Sequence, residues 1–332
     1  MAIRILKAGI SDSIQDKGRY GYAGFGVNHS GVMDSLAMKA ANALVANTPG
    51  AAVLEMHFPA ANILFEQDEL IALSGADFKA ILQVADGSLI SFEANKTAWV
   101  KAGTMLSFTG KQFGECCYMA VHGGFKLDKW MGSYSTQLAI GKGGYEGRRL
   151  KKGDLLEVNK TLPSGFLQTK IFPWRASLYT WYYDTSNFDI ITGPEWDWVE
   201  PLSQKHFLSE TFTLSAQSDR MGSRVEGMPI SKANEDEMIS SGTSFGTIQL
   251  LPNGQIIILM ADHPTTGGYP RIANIIAAHL PKLAQTAPGT DIHFMNTDVA
   301  TAEKLLALQQ KEVEQLHLAV RLQLSELLER ES

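Results

Sequence analysis

The sequence has few cysteines, no strong excess of one charge and no long apolar run, and each absence excludes a class of protein. The only cysteines of the 332 residues, Cys116 and Cys117, are adjacent. Neighbours in sequence rarely reach disulfide geometry, so we expect two reduced thiols within a strand. The formal net charge of −6 does not favour binding to nucleic acid or to anionic lipid. We therefore expect neither nucleic acid nor a membrane as a partner.

Several local signals are also absent. The longest apolar stretch, residues 256–261, is far shorter than the roughly 18 residues that a membrane span needs. The N-terminal segment has no apolar region typical of a secretory signal, which indicates a cytoplasmic protein. The sequence contains no Walker phosphate loop, no HExxH or CxxC metal motif and no GxSxG elbow. We expect no tightly held metal and no cofactor bound by this chain alone.

What is present indicates a folded, mainly β protein. The chain is 45% hydrophobic and 19% charged, which is close to the globular average and argues against disorder. Its 30 glycines stand among short β-rich runs, a pattern typical of many short strands joined by tight turns. The predicted strands are residues 63–65, 70–74, 90–92, 105–108, 117–121, 155–158, 188–191, 211–214, 247–250 and 256–260.

Three stretches have helical spacing instead. We predict helices over residues 33–46, 270–283 and from about residue 299 almost to the end. The last has an apolar seam at strict seven-residue spacing, formed by Leu306, Val313, Val320 and Leu327. Such a seam needs an apolar partner, either a second copy of the chain or its own barrel, and the unbroken spacing favours a homo-oligomer.

The composition also predicts the domain boundaries. Residues 162–187 mix Pro, Ser and aromatic residues without clear periodicity, and a new strand follows at residue 188. We predict an N-terminal β-barrel domain over residues 1–175, a second barrel domain over 176–297 and a terminal helix over 298–332.

Polar residues concentrate in three segments. Residues 13–34 combine five glycines with charged and amide groups, which indicates either a loop that approaches a ligand or a structural loop held by an Asp16–Arg19 pair. Residues 217–227 contain two arginines near carboxylates. The arginines either bind a substrate carboxylate or form ion pairs with the neighbouring acidic side chains. Residues 249–269 place Asp262 at a strand end, where it acts as a base, orients a substrate amide or forms an Asx-type turn.

These segments together resemble one family. The motifs are QDKGRYGYAGFGVNHSGVMD with AANALVAN, AVHGG with GSYST, SDRMGSRVEG, and GTIQLLPNGQ with ADHPTTGGYPRIA. In this order they are similar to the allophanate hydrolase subunit 2 family, also called the biotin-dependent carboxyltransferase family, over residues 4–295. The resemblance implies a mainly β fold of two cyclophilin-like β-barrel domains with a few helices and a long C-terminal helix.

The resemblance also implies a function. It indicates a subunit of an ATP-dependent 5-oxoprolinase, which opens 5-oxoproline to glutamate together with a subunit 1 homologue and a lactam-utilisation-type subunit. The assembled complex would use the ATP. Two alternatives stay open: a regulatory protein that sequesters a kinase-inhibitor homologue, and the carboxyltransferase component of a biotin-dependent urea carboxylase.

Nine polar residues of these motifs are the expected site. We expect Asp262 to accept a proton and Arg220 to bind a substrate carboxylate. Ser223 and His263 depart from the usual motifs of the family and could alter substrate choice. The expected catalytic residues are Asp262, Arg220 and Thr266, and the expected substrate-binding residues are Arg19, Ser30, Asp34, Asn42, Gln249 and Tyr269.

Overall fold

A computed structural model describes residues 2–159, 166–234 and 236–331. By their contacts the residues form two compact units. Unit 1 comprises Met1–Gly18, Asp34–Thr180 and Gln310–Ser332, and unit 2 comprises Arg19–Met33 and Trp181–Gln309. The boundaries that we predicted at residues 175 and 297 concern folding domains, a different criterion from contact grouping, and they stay predictions.

Unit 1 consists of two antiparallel sheets. Its strands are β1 (Ala2–Lys7), β2 (Ser13–Gln15), β3 (Val53–Met56), β4 (Asn62–Phe65), β5 (Glu69–Asp77), β6 (Ala80–Gln83), β7 (Leu89–Phe92), β8 (Lys96–Val100), β9 (Met105–Phe108), β10 (Phe113–Val121), β11 (Leu155–Glu157) and β12 (Lys170–Arg175). One sheet has the order β11-β1-β4-β9-β6-β7 and the other β12-β8-β5-β10-β3-β2. Both sheets contribute buried side chains to one hydrophobic core.

Unit 2 is built around a closed barrel. Its strands are β13 (Asn187–Thr192), β14 (Phe212–Leu214), β15 (Gly222–Glu226), β16 (Ser241–Gly242), β17 (Thr247–Leu250), β18 (Ile256–Leu259), β19 (Thr266–Gly267), β20 (Arg271–Ile275) and β21 (Asp291–Asn296). The barrel has the order β13-β20-β17-β18-β15-β14-β21 and closes through parallel pairing of β13 with β21. Strands β16 and β19 form a separate pair.

The described residues also form five α-helices. They are α1 (Ser35–Leu44), α2 (Tyr179–Tyr182), α3 (Pro201–Ser209), α4 (Leu280–Gln285) and α5 (Val299–Glu331). Helix α1 begins after Asp34, whose carboxylate accepts the N–H of Ala37 at 2.8 Å and so satisfies a main-chain donor that the helix leaves unpaired. The helix packs on β5, β10 and β3. This contact explains why β3 and nearly all of β5 are buried at consecutive positions rather than alternately.

The structure confirms most of the predicted elements. All ten predicted strands are present, the first predicted helix is α1, and the terminal helix is α5. The helix predicted over residues 270–283 is wrong in its first half, which forms β20. Isoleucines at 272, 275 and 276 satisfy helical spacing, but pairing of β20 with β13 and β17 determines the conformation.

Helix α5 begins at Val299 as predicted, but its seam is already covered. Val313 is 4% exposed and Val320 1% exposed within a single chain, while Leu306 and Leu327 are half-buried. The seam therefore does not require a second copy, which was the physical reason for predicting a homo-oligomer. No helix among the described residues is long and apolar enough to cross a membrane.

Candidate functional site

Three side chains that are distant in sequence meet in unit 2: Ser30, Arg220 and Asp262. Nε of Arg220 lies 2.8 Å from Oδ2 of Asp262 and Nη2 lies 3.2 Å from Oδ1, so the pair is forked. Oγ of Ser30 donates to Oδ1 of Asp262 at 2.8 Å. The side chains of Arg220 and Asp262 are only 11% and 9% exposed. The carboxylate is thus shielded, and both of its oxygens already accept hydrogen bonds.

The register of two barrel strands places Arg220 beside Asp262. Strand β15 pairs with β18, with Gly222 opposite Leu259. The main-chain N–H of Asp262 donates to the carbonyl of Arg220 at 2.7 Å and extends this pairing beyond the strand ends. A Cβ at Gly222 would lie 2.6 Å from the side chain of Ile257. A larger residue at Gly222 would therefore have to displace the Ile257 side chain.

The segment before α1 brings the serine to this ion pair. Asn28 donates its side-chain amide to the carbonyl of Asp262 at 3.0 Å, and Arg220 donates to the carbonyl of Gly31. Ser30 has φ 53° and Gly31 has φ 99°. A left-handed conformation at a non-glycine residue is uncommon, and here the hydrogen bonds to Asp262 and Arg220 hold it. Residues 28–31 of the glycine-rich segment are therefore held by hydrogen bonds to Arg220 and Asp262.

Two histidines belong to the same region of unit 2. Nδ1 of His263 lies 2.7 Å from the carbonyl of Pro264, so Nδ1 carries the proton and donates it. Burial lowers the pKa of His263. Burial, and then the charges of His263 and Arg19, lower the pKa of His29. Both imidazoles are therefore neutral near pH 7.

The other predicted residues of unit 2 lie in different settings. Arg19 is buried, at 2% exposure, and its main-chain N–H donates to the carbonyl of His29. Gln249 is buried in β17 and donates to the carbonyl of Tyr269 at 3.4 Å, whereas the Tyr269 side chain is 44% exposed. Thr266 is exposed in β19, where it pairs with Gly242.

An ion pair that the sequence analysis did not identify supports the strand containing Thr266. Arg271 forms a forked pair with Glu195, with Nη2 2.7 Å from Oε1 and Nε 2.9 Å from Oε2. Nη1 of Arg271 donates to the carbonyl of Gly242 at 2.9 Å, the residue opposite Thr266. The pair therefore positions the short β16–β19 pair. The sequence analysis missed Glu195 because no local motif surrounds it. Only its contact with the distant Arg271 identifies it as part of this site.

Two predicted residues, Asp34 and Asn42, belong to unit 1 and fix α1. Asp34 caps the helix, and its main-chain N–H donates to the hydroxyl oxygen of Tyr118 at 2.8 Å. Asn42 is fully buried and donates to the carbonyl of Ala51 at 2.9 Å, while its side-chain oxygen accepts from Asn47 at 3.1 Å. These contacts support the packing of α1, and a role in substrate binding stays a prediction.

The expected Asp16–Arg19 pair is not what holds Asp16. Its Oδ1 accepts from the hydroxyls of Ser133 and Ser135, each at 2.6 Å, and its Oδ2 accepts from the N–H of Tyr134 at 2.7 Å. The GSYST motif therefore has a structural function in unit 1: it anchors the chain at Asp16.

A buried polar cluster in unit 1 was missed by the sequence analysis. The hydroxyl of Tyr118 donates to Oε2 of Glu55 at 2.8 Å, and Nε2 of His57 lies 3.8 Å from Oε1 of Glu55. Burial raises the pKa of Cys116, whose Sγ lies 3.8 Å from Nδ1 of His57. Burial opposes the charged form of His57, but Cys116 and Glu55 raise its pKa well above the usual value. In this cluster the negative charge of the buried Glu55 is compensated by the positive charge of protonated His57.

Among the described residues, no group of three His, Cys, Asp or Glu side chains is arranged to hold a metal ion. The side chains that unit 2 brings together at the site supply a fixed guanidinium, a hydrogen-bonded carboxylate, a hydroxyl and neutral imidazoles.

Comparisons with known proteins give this site a family context. The family model described as "Carboxyltransferase domain, subdomain A and B" matches residues 25–296. A 5-oxoprolinase subunit of Escherichia coli is 37% identical over 95% of this chain and 97% of its own length. The corresponding 5-oxoprolinase subunit of Haemophilus influenzae is 34% identical over 91% and 94%.

A solved structure agrees with these relatives. The crystal structure of Kluyveromyces lactis urea carboxylase is similar with a TM-score of 0.84 and 28% identity, over 95% of this chain and 29% of that one. The match of the family model includes Ser30, Arg220 and Asp262. The chain belongs to the family of carboxyltransferase domains with subdomains A and B.

Proposed function

We propose that the chain is a subunit of an ATP-dependent 5-oxoprolinase, which opens 5-oxoproline to glutamate. The observation that supports this most is its likeness to two bacterial proteins named as 5-oxoprolinase subunits, over nearly the whole length of both. A match of this extent includes every motif that contributes to the Ser30–Arg220–Asp262 site. The name of these relatives as subunits also supports a function within a complex.

The reaction sets the chemical requirements. Water adds to the lactam carbon, the C–N bond breaks, and the nitrogen leaves as an amine after taking up a proton. The substrate also carries a carboxylate that has to be held during the reaction. A site for this chemistry needs a fixed cation for negative charge and polar groups that orient the ring.

The cluster in unit 2 meets the first of these requirements. The guanidinium of Arg220 is held by Asp262 on one side and by the carbonyl of Gly31 on another. A pre-oriented guanidinium binds a carboxylate with little further loss of conformational freedom. We assign Arg220 to substrate binding and Asp262 to orienting Arg220. Proton acceptance by Asp262, which the sequence analysis favoured, would remove the negative charge that pairs with Arg220 and so weaken the contact that orients the guanidinium.

We further propose that this chain acts with a subunit 1 homologue and a lactam-utilisation-type subunit. The sequence contains no Walker phosphate loop, so ATP use is assigned to the assembled complex and not to this chain. A complex that consumes ATP has its substrate in the cytoplasm, and the reduced thiols Cys116 and Cys117 suit that compartment.

Reconstitution tests the proposal. The chain alone should release no glutamate from 5-oxoproline with ATP, whereas the chain with both partner subunits should do so. Each partner alone and each pair serve as controls. Robust glutamate release by the isolated chain would contradict the need for partners. Failure of the complete complex to open 5-oxoproline would contradict the proposed substrate.

A second candidate function also has support. The family name and the similarity to Kluyveromyces lactis urea carboxylase favour a carboxyltransferase component of a biotin-dependent urea carboxylase. The chain spans only 29% of that protein, so this candidate assigns biotin carboxylation to protein segments outside these 332 residues. Dependence of the reaction on biotin distinguishes the two candidates.

A further inference from the structure

One threonine of unit 2 contacts the segment that follows Asp262. Thr243 makes contacts with three consecutive residues there. Its main-chain N–H donates to the carbonyl of Thr265 at 3.1 Å, its hydroxyl donates to the carbonyl of Pro264, and its Oγ1 lies 3.3 Å from Nδ1 of His263. The course of the chain directly after Asp262 therefore depends on the position of Thr243.

The position of Thr243 depends in turn on an arginine of the barrel. Thr243 follows β16, which pairs with β19 outside the hydrogen-bonded order of the barrel. The carbonyl of Gly242, the residue before Thr243, accepts from Nη1 of Arg271 at 2.9 Å. Arg271 is the first residue of the barrel strand β20. This hydrogen bond therefore ties the peptide before Thr243 to the barrel.

Glu195 fixes the direction in which this arginine points. Its carboxylate accepts from the main-chain N–H of Arg271 at 2.9 Å, from Nε at 2.9 Å and from Nη2 at 2.7 Å. Such a fork fixes the plane of the guanidinium and hence the direction of its remaining N–H groups. The two side chains are 12% and 21% exposed, and a partly exposed ion pair contributes little to folding stability. The main effect of the pair is therefore on geometry.

We propose that Glu195 and Arg271 are positioning residues of the candidate site. Through Thr243 they set the position of the segment that begins at Asp262. A shift of this segment would turn the Asp262 carboxylate away from the guanidinium of Arg220, which it holds at 2.8 Å, so that the substrate carboxylate would be bound less tightly. The choice of substrate rests on the proposed function, which assigns that carboxylate to Arg220.

NMR of the full chain tests the transmission of this effect without any reaction. The Nδ1–H group of His263 contacts the carbonyl of Pro264 and the hydroxyl of Thr243, so its signal in a chain with ¹⁵N-labelled histidines reports the position of the segment. The signal is assigned by its loss in His263→Gln. Glu195→Gln should shift or broaden it, because the guanidinium that holds the peptide before Thr243 is no longer fixed. An unchanged signal would overturn the inference.

Kinetics of the assembled complex test the effect on the site. Glu195→Gln should raise KM for 5-oxoproline by about fivefold or more, with a smaller change in kcat. A purely structural role would lower the amount of active enzyme, and so kcat, and would leave KM unchanged. Thr243→Val, which removes the hydroxyl, should also raise KM, and the double variant should be no worse than the poorer single variant. Thr243→Ser, which keeps the hydroxyl, should retain the KM of the wild type.

Asp154→Asn is the matched control. It breaks a forked pair of similar exposure in unit 1, in which Arg148 lies 2.7 and 2.9 Å from the two carboxylate oxygens of Asp154, and it should change neither the His263 signal nor KM. A fall in kcat at unchanged KM in Glu195→Gln would reduce the pair to a structural contact and overturn the inference. If the wild-type complex does not open 5-oxoproline, the proposed function fails, while the His263 signal still decides whether Glu195 positions the segment.

Discussion

At the scale of single residues, the hydrogen bonds of Asp262 separate two roles that the sequence leaves open. A carboxylate next to a polar substrate is a natural general base. In the structure both oxygens of Asp262 accept hydrogen bonds from Arg220, and one of them also accepts a hydrogen bond from Ser30. These contacts favour a carboxylate that orients a cation, with the hydroxyl of Ser30 completing the arrangement.

The first prediction concerns the coupling of Arg220 and Asp262. Asp262→Asn and Arg220→Ala should each lower kcat/KM of the assembled complex by about tenfold or more, and the double variant should be no worse than the poorer single variant. The reason is that both changes remove the same oriented cation. Steady-state kinetics and circular dichroism on all three variants test this.

Glu226→Gln is the matched control, since Glu226 is an exposed carboxylate of the adjoining strand β15, and it should leave kcat/KM unchanged. Independent, multiplicative losses in the double variant, with the effect of Asp262→Asn confined to kcat, would instead identify Asp262 as the proton acceptor. Loss of folded protein would assign the pair to structure alone.

At the scale of elements, local patterns predicted strands well and one helix badly. Short apolar runs between glycines identified ten strands because strand ends coincide with turn residues. The sequence around β20 failed because three isoleucines at helical spacing also fit a strand, and only the neighbours in the barrel decide between them. Strands such as β2, with three residues, are too short to produce any periodic pattern.

The second prediction concerns the turn between β1 and β2, which contains the buried Asp12. Burial raises the pKa of Asp12 to about 6, against hydrogen bonds from Ala61 and Gly9 that lower it. Between the ordinary aspartate value of 3.8 and about 6, the folded state keeps a proton that the unfolded state has released. The free energy of unfolding should therefore fall as pH rises through this window, by up to about 3 kcal/mol.

Urea unfolding between about pH 4 and about pH 7 measures this slope. Asp12→Asn should remove Asp12's share of it, because an amide does not titrate, while its oxygen can still accept from Gly9 and Ala61. Asp128→Asn, at an exposed aspartate of the same unit, should keep the wild-type slope. An unchanged slope in Asp12→Asn would mean that Asp12 does not titrate in this range.

The third prediction concerns the seam of α5. Val313→Ala and Val320→Ala should each lower the free energy of unfolding by about 2 kcal/mol, because both side chains are buried within the chain. Leu318→Ala, at a 62% exposed position of the same helix, should change it by less than about 0.5 kcal/mol.

Light scattering of the same variants addresses the oligomer that the sequence predicted. The molar mass of Val313→Ala and Val320→Ala should equal that of the wild type, since the seam is covered without a second copy. A fall in mass in these two variants, with unfolding free energy unchanged, would restore the seam as an interface between copies.

At the scale of the whole molecule, the candidate site depends on contacts between distant residues that sequence patterns do not predict. Ser30 and Asp262 are 232 positions apart, and no local periodicity connects them. Each lies in a different motif of the family, and the family resemblance identified both as site residues. Their contact depends on the pairing of β15 with β18 and on the turn at Ser30 and Gly31, which a linear pattern cannot express.

The last prediction separates the two reactions that this family suggests. Carboxyl transfer passes through carboxybiotin, so avidin should block it, and it requires bicarbonate. Hydrolysis of a lactam adds only water to the substrate and needs neither. We expect the reconstituted complex to release glutamate from 5-oxoproline at the same rate with avidin present and with bicarbonate omitted. Avidin saturated with biotin is the control, and inhibition by free avidin that saturated avidin does not cause would assign the chain to carboxyl transfer.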